Sequence, residues 1–453
     1  MHEPPNLLFI LTDQQHARMM SCAGHPYLRT PAMDGLAAEG VRFTRAYCTN
    51  PVCVASRFSL MTGRMPSAIG LLSNDASSTG DLPASIPRNG LGHLMASAGY
   101  ETAYGGKVHL PGMSAEDIGF TCLCRDERDA LADACAAFIT KARDKPFFLV
   151  ASFINPHDIC YMAIRDFAQT EQERALAHHG SVPCATLDQA LARPDGVDED
   201  TFFAEFCPPL PPNFEPQEGE PEALRIMLEQ RPFRMNARTR WSERRWREHR
   251  WAYARLTEMV DRQIGRVLTA LEQGGQARRT VVVFTSDHGD MDSAHRMEHK
   301  STFYDEACRI PLIIRAPAGM KGGIDDTHLV SNGLDLLPTF CDWAGMPVPV
   351  EMAGRSLRGL VEHAAPQAWR DAVPVESAIG RAIVTRRFKY ARYDTGSNRE
   401  QLMDLVSDPW ERRNAIEAPA YRTEAAALAN LFQETFAGIP RRPADPLLEA
   451  MYA

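Results

Sequence analysis

Several large classes of protein are excluded by what this chain lacks. Among its 453 residues no cysteines form a C-x-x-C pair, and Cys122 and Cys124 are one residue apart, which is not the spacing of a zinc knuckle. The cysteine count, eleven, is odd. That speaks against a fully paired secreted disulfide framework and for a reducing compartment. Long hydrophobic runs are also missing. The first apolar run, Leu7 to Leu11, has five residues, too few for a signal-peptide core or a membrane span. A cytoplasmic protein without membrane contact is therefore expected. Positive charge is not in excess. With a formal net charge of −9 the molecule has no global attraction for nucleic acid, so an anionic ligand must be held by a local group of cations. Internal repeats and low-complexity tracts are absent, which excludes solenoids and disordered arrays.

What is present is a globular composition in a chain long enough for one large domain and a smaller one. Short apolar runs, each ending in polar residues, recur along it. Asn6 to Thr12 reads as a strand buried on both faces and delivers Asp13-Gln14-Gln15-His16. Pro146 to Phe153 delivers Asn155-Pro156-His157, and Thr280 to Ser286 delivers Asp287-His288-Gly289-Asp290. In open α/β sheets ligands collect beyond the carboxyl ends of strands, so these acids and histidines are placed like metal or substrate residues. An aspartate after a strand is, taken alone, more often a turn or cap residue. Helices are expected over 30–40, 89–98, 131–142, 251–271, 332–344 and 421–436, with a strand over 100–104.

The chain is organised around Asn50-Pro51-Val52-Cys53-Val54-Ala55-Ser56-Arg57. A helix starting at about Cys53 would bring Cys53 and Arg57 to one face, since residues four apart stack, and its N-terminus would attract anions. By itself Cys-x-x-x-Arg is more often a buried cysteine beside a surface arginine. The wider pattern, with Thr62-Gly63-Arg64 following, resembles the signature of the formylglycine-dependent sulfatases, with Ala55 where proline is commoner. Two further stretches resemble the same family: Gly106-Lys107-Val108-His109, and Ser286-Asp287-His288-Gly289-Asp290 followed by Lys300. The three signatures stand in the family order.

That resemblance implies an alkaline-phosphatase-like α/β fold: a large, mostly parallel mixed sheet flanked by helices over residues 1–365, and a C-terminal α+β part with a short antiparallel sheet over 366–453. It implies that Cys53 is oxidised to formylglycine by a formylglycine-generating or anaerobic maturation enzyme. Asp13, Gln14, Asp287 and His288, with the Cys53 position, would hold Ca2+, or Mn2+ given the nitrogen donor of His288. One hydroxyl of the hydrated aldehyde would attack sulfur. His157, with Lys300, would protonate the departing alcohol, and His109 would take the proton of the second hydroxyl. Arg57 would hold the hydrate, and Lys107 and Lys300 would grip the sulfate of a sulfated sugar, aryl or alkyl ester. His157 stands before Ile159-Cys160 where the family usually has proline, so its loop is unmatched.

The middle of the chain is least legible. Arg231 to Arg250 holds eight arginines with Trp241 and Trp246 between them and Trp251 just beyond. Such a stretch can bind nucleic acid. It is more often a helix approach with solvated arginines and buried tryptophans, or a pocket wall where arginine would suit an acidic sugar or an aromatic group. Two rivals remain open: a phosphonate monoester hydrolase or phosphodiesterase on the same scaffold, and an unmodified, inactive homologue that binds an anionic polymer. Self-association into a homo-oligomer is also open.

Overall fold

The computed structural model describes residues 4–74, 90–110, 112–178, 180–317, 322–349, 352–362 and 368–439. Its main sheet has eight strands. In chain order the strands of the molecule are β1 (Asn6–Asp13), β2 (Val41–Phe43), β3 (Ala46–Tyr47), β4 (Glu101–Gly106), β5 (Thr121–Cys124), β6 (Phe147–Pro156), β7 (Thr280–Ser286), β8 (Leu312–Arg315), β9 (Gly323–Asp325), β10 (Val330–Ser331), β11 (Ala372–Ser377), β12 (Gly380–Thr385), β13 (Phe388–Tyr393) and β14 (Glu400–Asp404). The main sheet runs β5-β4-β6-β1-β7-β8-β2-β9. β1 pairs in parallel with β6 and β7, and β4 in parallel with β5 and β6. β8 runs against β7 and β2. The sheet is mixed and mostly parallel, as expected.

Alternation along the central strands explains their unbroken apolar sequences. Leu7, Phe9 and Leu11, with Phe148, Val150, Val281 and Val283, face one core that includes Phe58, Leu336 and Phe340. Leu8 and Ile10, with Phe147, Leu149, Val282 and Phe284, face the other, against Leu131, Ile139, Val260, Ile264, Val267 and Leu271. Successive side chains point to opposite faces, and both faces carry helices, so the runs stay apolar until near the strand ends. Because β4, β6, β1 and β7 are parallel, their carboxyl ends share one edge. Lys107, His157, Asp13 and Asp287 arrive at that edge together.

The helix predicted from Trp251 begins earlier, spanning Glu243–Gln273, with the Ser242 hydroxyl capping the Arg245 N–H. The arginine-rich segment is thus mostly helix, over Pro232–Arg240 and the start of this long helix. Trp241 and Trp246 are buried edge-to-face at 4.7 Å. Arg238 pairs with Glu220, Arg244 with Glu199, and Arg245 with Asp166. The buried tryptophans are those of the helix-approach reading; it expected solvated arginines, and these three are paired with carboxylates instead.

The C-terminal sheet is antiparallel, in the order β11-β12-β13-β14. One face (Val373, Val375, Ala382, Val384, Ala391, Met403) packs on Tyr47, Met291, Phe303 and Tyr304, and the other (Ile383, Tyr390, Leu402) takes Leu428 of the Arg422–Thr435 helix. The expected boundary at 365/366 and residues 440–453 lie outside the described residues, as does Asn89 at the start of the helix observed at Leu91–Ser97. No helix among the described residues is long and apolar enough to cross a membrane.

Candidate active site

The helix Cys53–Thr62 begins at Cys53, as its spacing predicts, and every residue in it is buried. It lies on the helix Asn332–Trp343, where Gly333 approaches so closely that a side chain would overlap Ser59 and Thr49. The first helical amide after Cys53, that of Val54, donates to Asn74 Oδ1 at 3.0 Å, so this N-terminus is partly engaged.

Arg57 is buried one turn on and ties three strand ends together. Its Nε donates to Asp287 Oδ2 at 2.8 Å, its Nη2 to Asp13 Oδ2 at 2.8 Å, and its Nη1 to the Lys107 carbonyl at 2.9 Å and Ser152 Oγ at 2.8 Å. A guanidinium suits this task because its planar fork presents several donors in fixed directions. Burial opposes its charge, but Asp287 and Asp13 raise its pKa further.

Lys107 follows the end of β4. Gly106 has φ +86° and lies where a side chain would overlap the Ser152 carbonyl, so the turn into Lys107 needs glycine. The Lys107 ammonium sits 2.7 Å from Asp13 Oδ2. Lys300 donates to Cys53 Sγ at 3.1 Å and to Gln14 Oε1 at 2.6 Å. Its loop is anchored by the Ser301 N–H on the Pro51 carbonyl at 3.1 Å. His299 and Ser301 on either side are left-handed, a conformation kept only where the surroundings enforce it. Burial would depress Lys300, but Cys53, Cys160 and Asp13 more than offset it and raise its pKa.

Cys53 Sγ lies 3.1 Å from His288 Nε2 and 3.7 Å from Asp13 Oδ1. His288 Nδ1 is 2.8 Å from the Gly289 carbonyl, so Nδ1 donates there and Nε2 faces Cys53; burial opposes a charge on the ring, but Asp287 and Cys53 outweigh it and raise its pKa. Burial and Asp13 oppose a thiolate at Cys53, yet Lys300, Lys107 and His288 outweigh them and hold its pKa well below that of a free thiol. Asp13 is likewise held low against burial by Lys107, His157, Arg57 and Lys300. Asp287 moves the other way: burial, then repulsion from Asp13, raises it to about 7.

One ligand atom each from Asp13, Cys53, Asp287 and His288 lies within 4.8 Å of all the others, and all four residues are buried. Two mutually repelling carboxylates, a free imidazole nitrogen and a sulfur at this spacing fit a divalent cation. Gln14, expected as a further oxygen donor, uses Oε1 on Lys300, while its Nε2 donates to Asp290 Oδ2 at 2.6 Å.

His157 stands at the edge of this group with its buried Nδ1 free of any hydrogen bond, and burial with Lys107 and Lys300 lowers its pKa to about 4. His109 is not brought into the group. The segment after Gly106 does not stay extended: His109 has φ +47°, is exposed, and makes no hydrogen bond or ion pair among the described residues. Lys107 and His109 were expected to alternate onto one side, and that premise is not met.

Sequence reasoning did not single out Ser152, Cys160 or Tyr253, and gave Asp290 no role of its own. Asp290 holds Gln14, Ser152 receives Arg57, Cys160 Sγ lies 2.9 Å from Gln14 Nε2, and the Tyr253 hydroxyl donates to the Gln14 carbonyl at 2.5 Å. A serine inside the apolar run of β6 was the one visible signal.

The comparisons agree with this geometry. The sulfatase family matches residues 5–346, and the family described as N-sulphoglucosamine sulphohydrolase, C-terminal, matches 293–437. A delta 4,5-hexuronate-2-O-sulfatase of Bacteroides thetaiotaomicron is 30% identical over 446 residues, covering 92% of this chain and 86% of its own. The solved structure of a 2-O GAG sulfatase superposes with a TM-score of 0.81 at 28% identity, over 98% of this chain and 96% of that one. A phosphonate monoester hydrolase of Agrobacterium radiobacter, 21% identical over 96% of each chain with a TM-score of 0.73, shares the fold. With the matched family spanning most of the chain and its strand-tip residues gathered around Cys53, this protein belongs to the sulfatase family and is a sulfuric ester hydrolase.

Proposed function

We propose that the chain hydrolyses the sulfate ester of a saccharide, with Cys53 matured to formylglycine and calcium held by Asp13, Asp287, His288 and the Cys53 position, with Gln14 turning its oxygen inward. The observation that carries this reading is the position of Cys53 Sγ, 3.1 Å from both His288 Nε2 and Lys300 Nζ at the first residue of a buried helix. The saccharide half follows from the names of the relatives.

The matured side chain supplies an oxygen nucleophile in place of sulfur, and the metal supplies a Lewis acid that polarises the sulfuryl oxygens. The chain's own residues do the rest. Lys107 and Lys300 hold the sulfate from two sides, in a water-poor setting where such contacts are strong. Arg57 fixes both acids and keeps the nucleophile position rigid. His157 is neutral because burial and the fields of Lys107 and Lys300 outweigh that of Asp13. A bound sulfate offsets their field, raises its pKa and lets it carry the proton that the departing alcohol takes, with Lys300 beside it. His109 would take the proton released with sulfate, a role that requires its side chain to turn inward from the exposed position it holds here. His288 supplies a nitrogen donor, so manganese is the second candidate metal.

The test is mass spectrometry of the tryptic peptide that begins at Ala46 and ends at Arg57, from a host with the maturation enzyme. Conversion lowers its mass by about 18 Da relative to the thiol. Turnover of a sulfated sugar should track the converted fraction. A phosphonate monoester serves as the opposing substrate, and faster turnover of it would replace this reading with the phosphonate one. A fully unconverted chain would favour the inactive anion-binding homologue.

A further inference from the structure

Gln14 is fixed at its backbone and left one freedom at its side chain. It has φ +70°, a left-handed conformation that a residue with a side chain keeps only where its surroundings enforce it. Three hydrogen bonds do so. The Gln14 N–H donates to Asp287 Oδ1 at 3.1 Å, and the Gln14 carbonyl accepts the Tyr253 hydroxyl at 2.5 Å. That hydroxyl in turn accepts the His16 N–H at 3.1 Å. What remains is the half-turn of the carboxamide, which exchanges an oxygen for an NH2 group of nearly the same size.

Three buried side chains touch this carboxamide. Cys160 Sγ is 2.9 Å from Nε2 and 3.1 Å from Oε1, so it meets both atoms and, as a weak donor and weak acceptor, selects neither orientation. Lys300 Nζ, 2.6 Å from Oε1, can only donate. Asp290 Oδ2 accepts Nε2 at 2.6 Å, and its other oxygen accepts the Asp292 N–H at 2.7 Å. The carboxylate and the ammonium thus take opposite ends of the amide and agree on one orientation. Reversed, the amide would set its NH2 against the ammonium and its oxygen against the carboxylate, two repulsive contacts in a buried site where solvent screens neither.

Lys300 favours the same orientation, but it is also engaged at Cys53 Sγ, 3.1 Å away. Both oxygens of Asp290 are spent on Gln14 and on the turn that follows, so its effect on the chemistry runs through the amide. We propose that Asp290 is a positioning residue: through the Gln14 carboxamide it keeps Oε1 turned toward Lys300 and the metal position, and so fixes the ammonium against Cys53. This rests on the reading above that Lys300 serves the sulfate and Gln14 the metal.

The test exchanges the two end groups. Asp290→Asn offers Gln14 an NH2 where a carboxylate stood, which favours the reversed amide. Gln14→Glu sets two carboxylates side by side. The double variant keeps the net charge and restores the pattern, since the new amide donates to the new carboxylate, whose other oxygen faces Lys300. On nitrophenyl sulfate each single variant of the matured enzyme should lose about 10–100-fold in kcat/KM, the scale for groups that orient a metal ligand, and the double variant should return to within about tenfold of the parent. In the unconverted chain the calcium-dependent rise in melting temperature should weaken in each single variant and return in the double one. Asp290→Asn with the parent's activity overturns the proposal. So does a calcium response that Asp290→Asn leaves untouched, or a double variant no better than the worse single one. If a single variant fails to fold, the double variant decides: a folded, active protein is the expected rescue, and an unfolded or inactive one overturns the proposal. A parent that turns over nitrophenyl phosphonate and not the sulfate sinks the sulfate reading alone, and the same exchange is then read on the phosphonate. A parent inactive on both esters sinks the reading and the proposal together.

Discussion

Two of the buried clusters of charged side chains among the described residues are built from similar parts. One is the group around Cys53. The other joins the C-terminal sheet to the main body: Lys389 on β13 is fully buried, its ammonium 2.7 Å from Asp305 Oδ1 and 2.6 Å from Glu411 Oε1. Glu411 Oε2 accepts the Asp305 N–H at 2.6 Å, which closes the group on itself. Around Cys53 the ion pairs are equally short, yet His288 Nε2, Asp13 Oδ1 and Cys53 Sγ converge without saturating one another, and His157 Nδ1 has no partner. The closed cluster joins two parts of the protein. The open one has atoms left over for a ligand. Burial and charge alone do not separate them, whereas unsatisfied, converging atoms do.

The difference predicts opposite responses to mutation. Cys53→Ala should lower kcat by about a thousandfold or more, as removal of a nucleophile does, while the denaturation midpoint stays close to that of the parent. A parallel loss of stability would mean that Cys53 is a structural part of a closed cluster. Removal of metal by a chelator should come next in size. Arg57 alone then offsets the repulsion between Asp13 and Asp287, so activity falls and the melting temperature drops, and added calcium restores both. Asp287→Asn should abolish the calcium-dependent rise in melting temperature, and Lys389→Met should leave it intact.

Lys389→Met should do the reverse of Cys53→Ala. It leaves Glu411 buried without a cation and Asp305 with Arg309 alone, and should cost about 3–5 kcal/mol of stability in urea denaturation. Turnover per folded molecule should change less than about threefold, since the cluster touches no reacting group. Replacing the three residues together with apolar side chains should recover much of the loss, because the desolvation cost disappears along with the ion pairs.

The two clusters were not equally legible in the sequence. The open one announces itself because an apolar run long enough for a strand must be followed by whatever the sheet edge presents, and Asp13, His157 and Asp287 each stand directly there. The Cys53–Arg57 spacing gave the helix and its shared face. His109 went astray because its placement depended on the sign of one φ angle, which residue type does not encode. The start of the helix Glu243–Gln273 was hidden by its arginines, although Ser242 was there to cap it. The closed cluster was invisible because pairing is a property of the folded surroundings: Lys389 lies 84 residues from Asp305 and 22 from Glu411, and alternation alone could not tell that it points inward.

The smallest expected effect concerns pH and sharpens the contrast inside the closed cluster. Two carboxylates share one lysine there. Burial raises Glu411, Lys389 pulls it back and Asp305 repels it, so that it ends at about 7, while Asp305, whose burial is outweighed by Lys389 and Arg309, is held low. Unfolded, a glutamate titrates at about 4.3. Between that value and about 7 the folded protein therefore binds more protons at Glu411 than the unfolded chain does. The contribution is fully present below the unfolded pKa and is lost as pH rises through the folded one, so stability should fall across this window and level off above it. Glu411→Gln keeps the side chain neutral at every pH and should make the profile less steep, leaving the slope that Asp287, also raised to about 7, contributes. Urea denaturation of both proteins at pH 5, 6, 7 and 8 measures the slope; a parent profile that rises with pH in this range would mean that Lys389 holds both carboxylates ionised and that the cluster is a true triple ion.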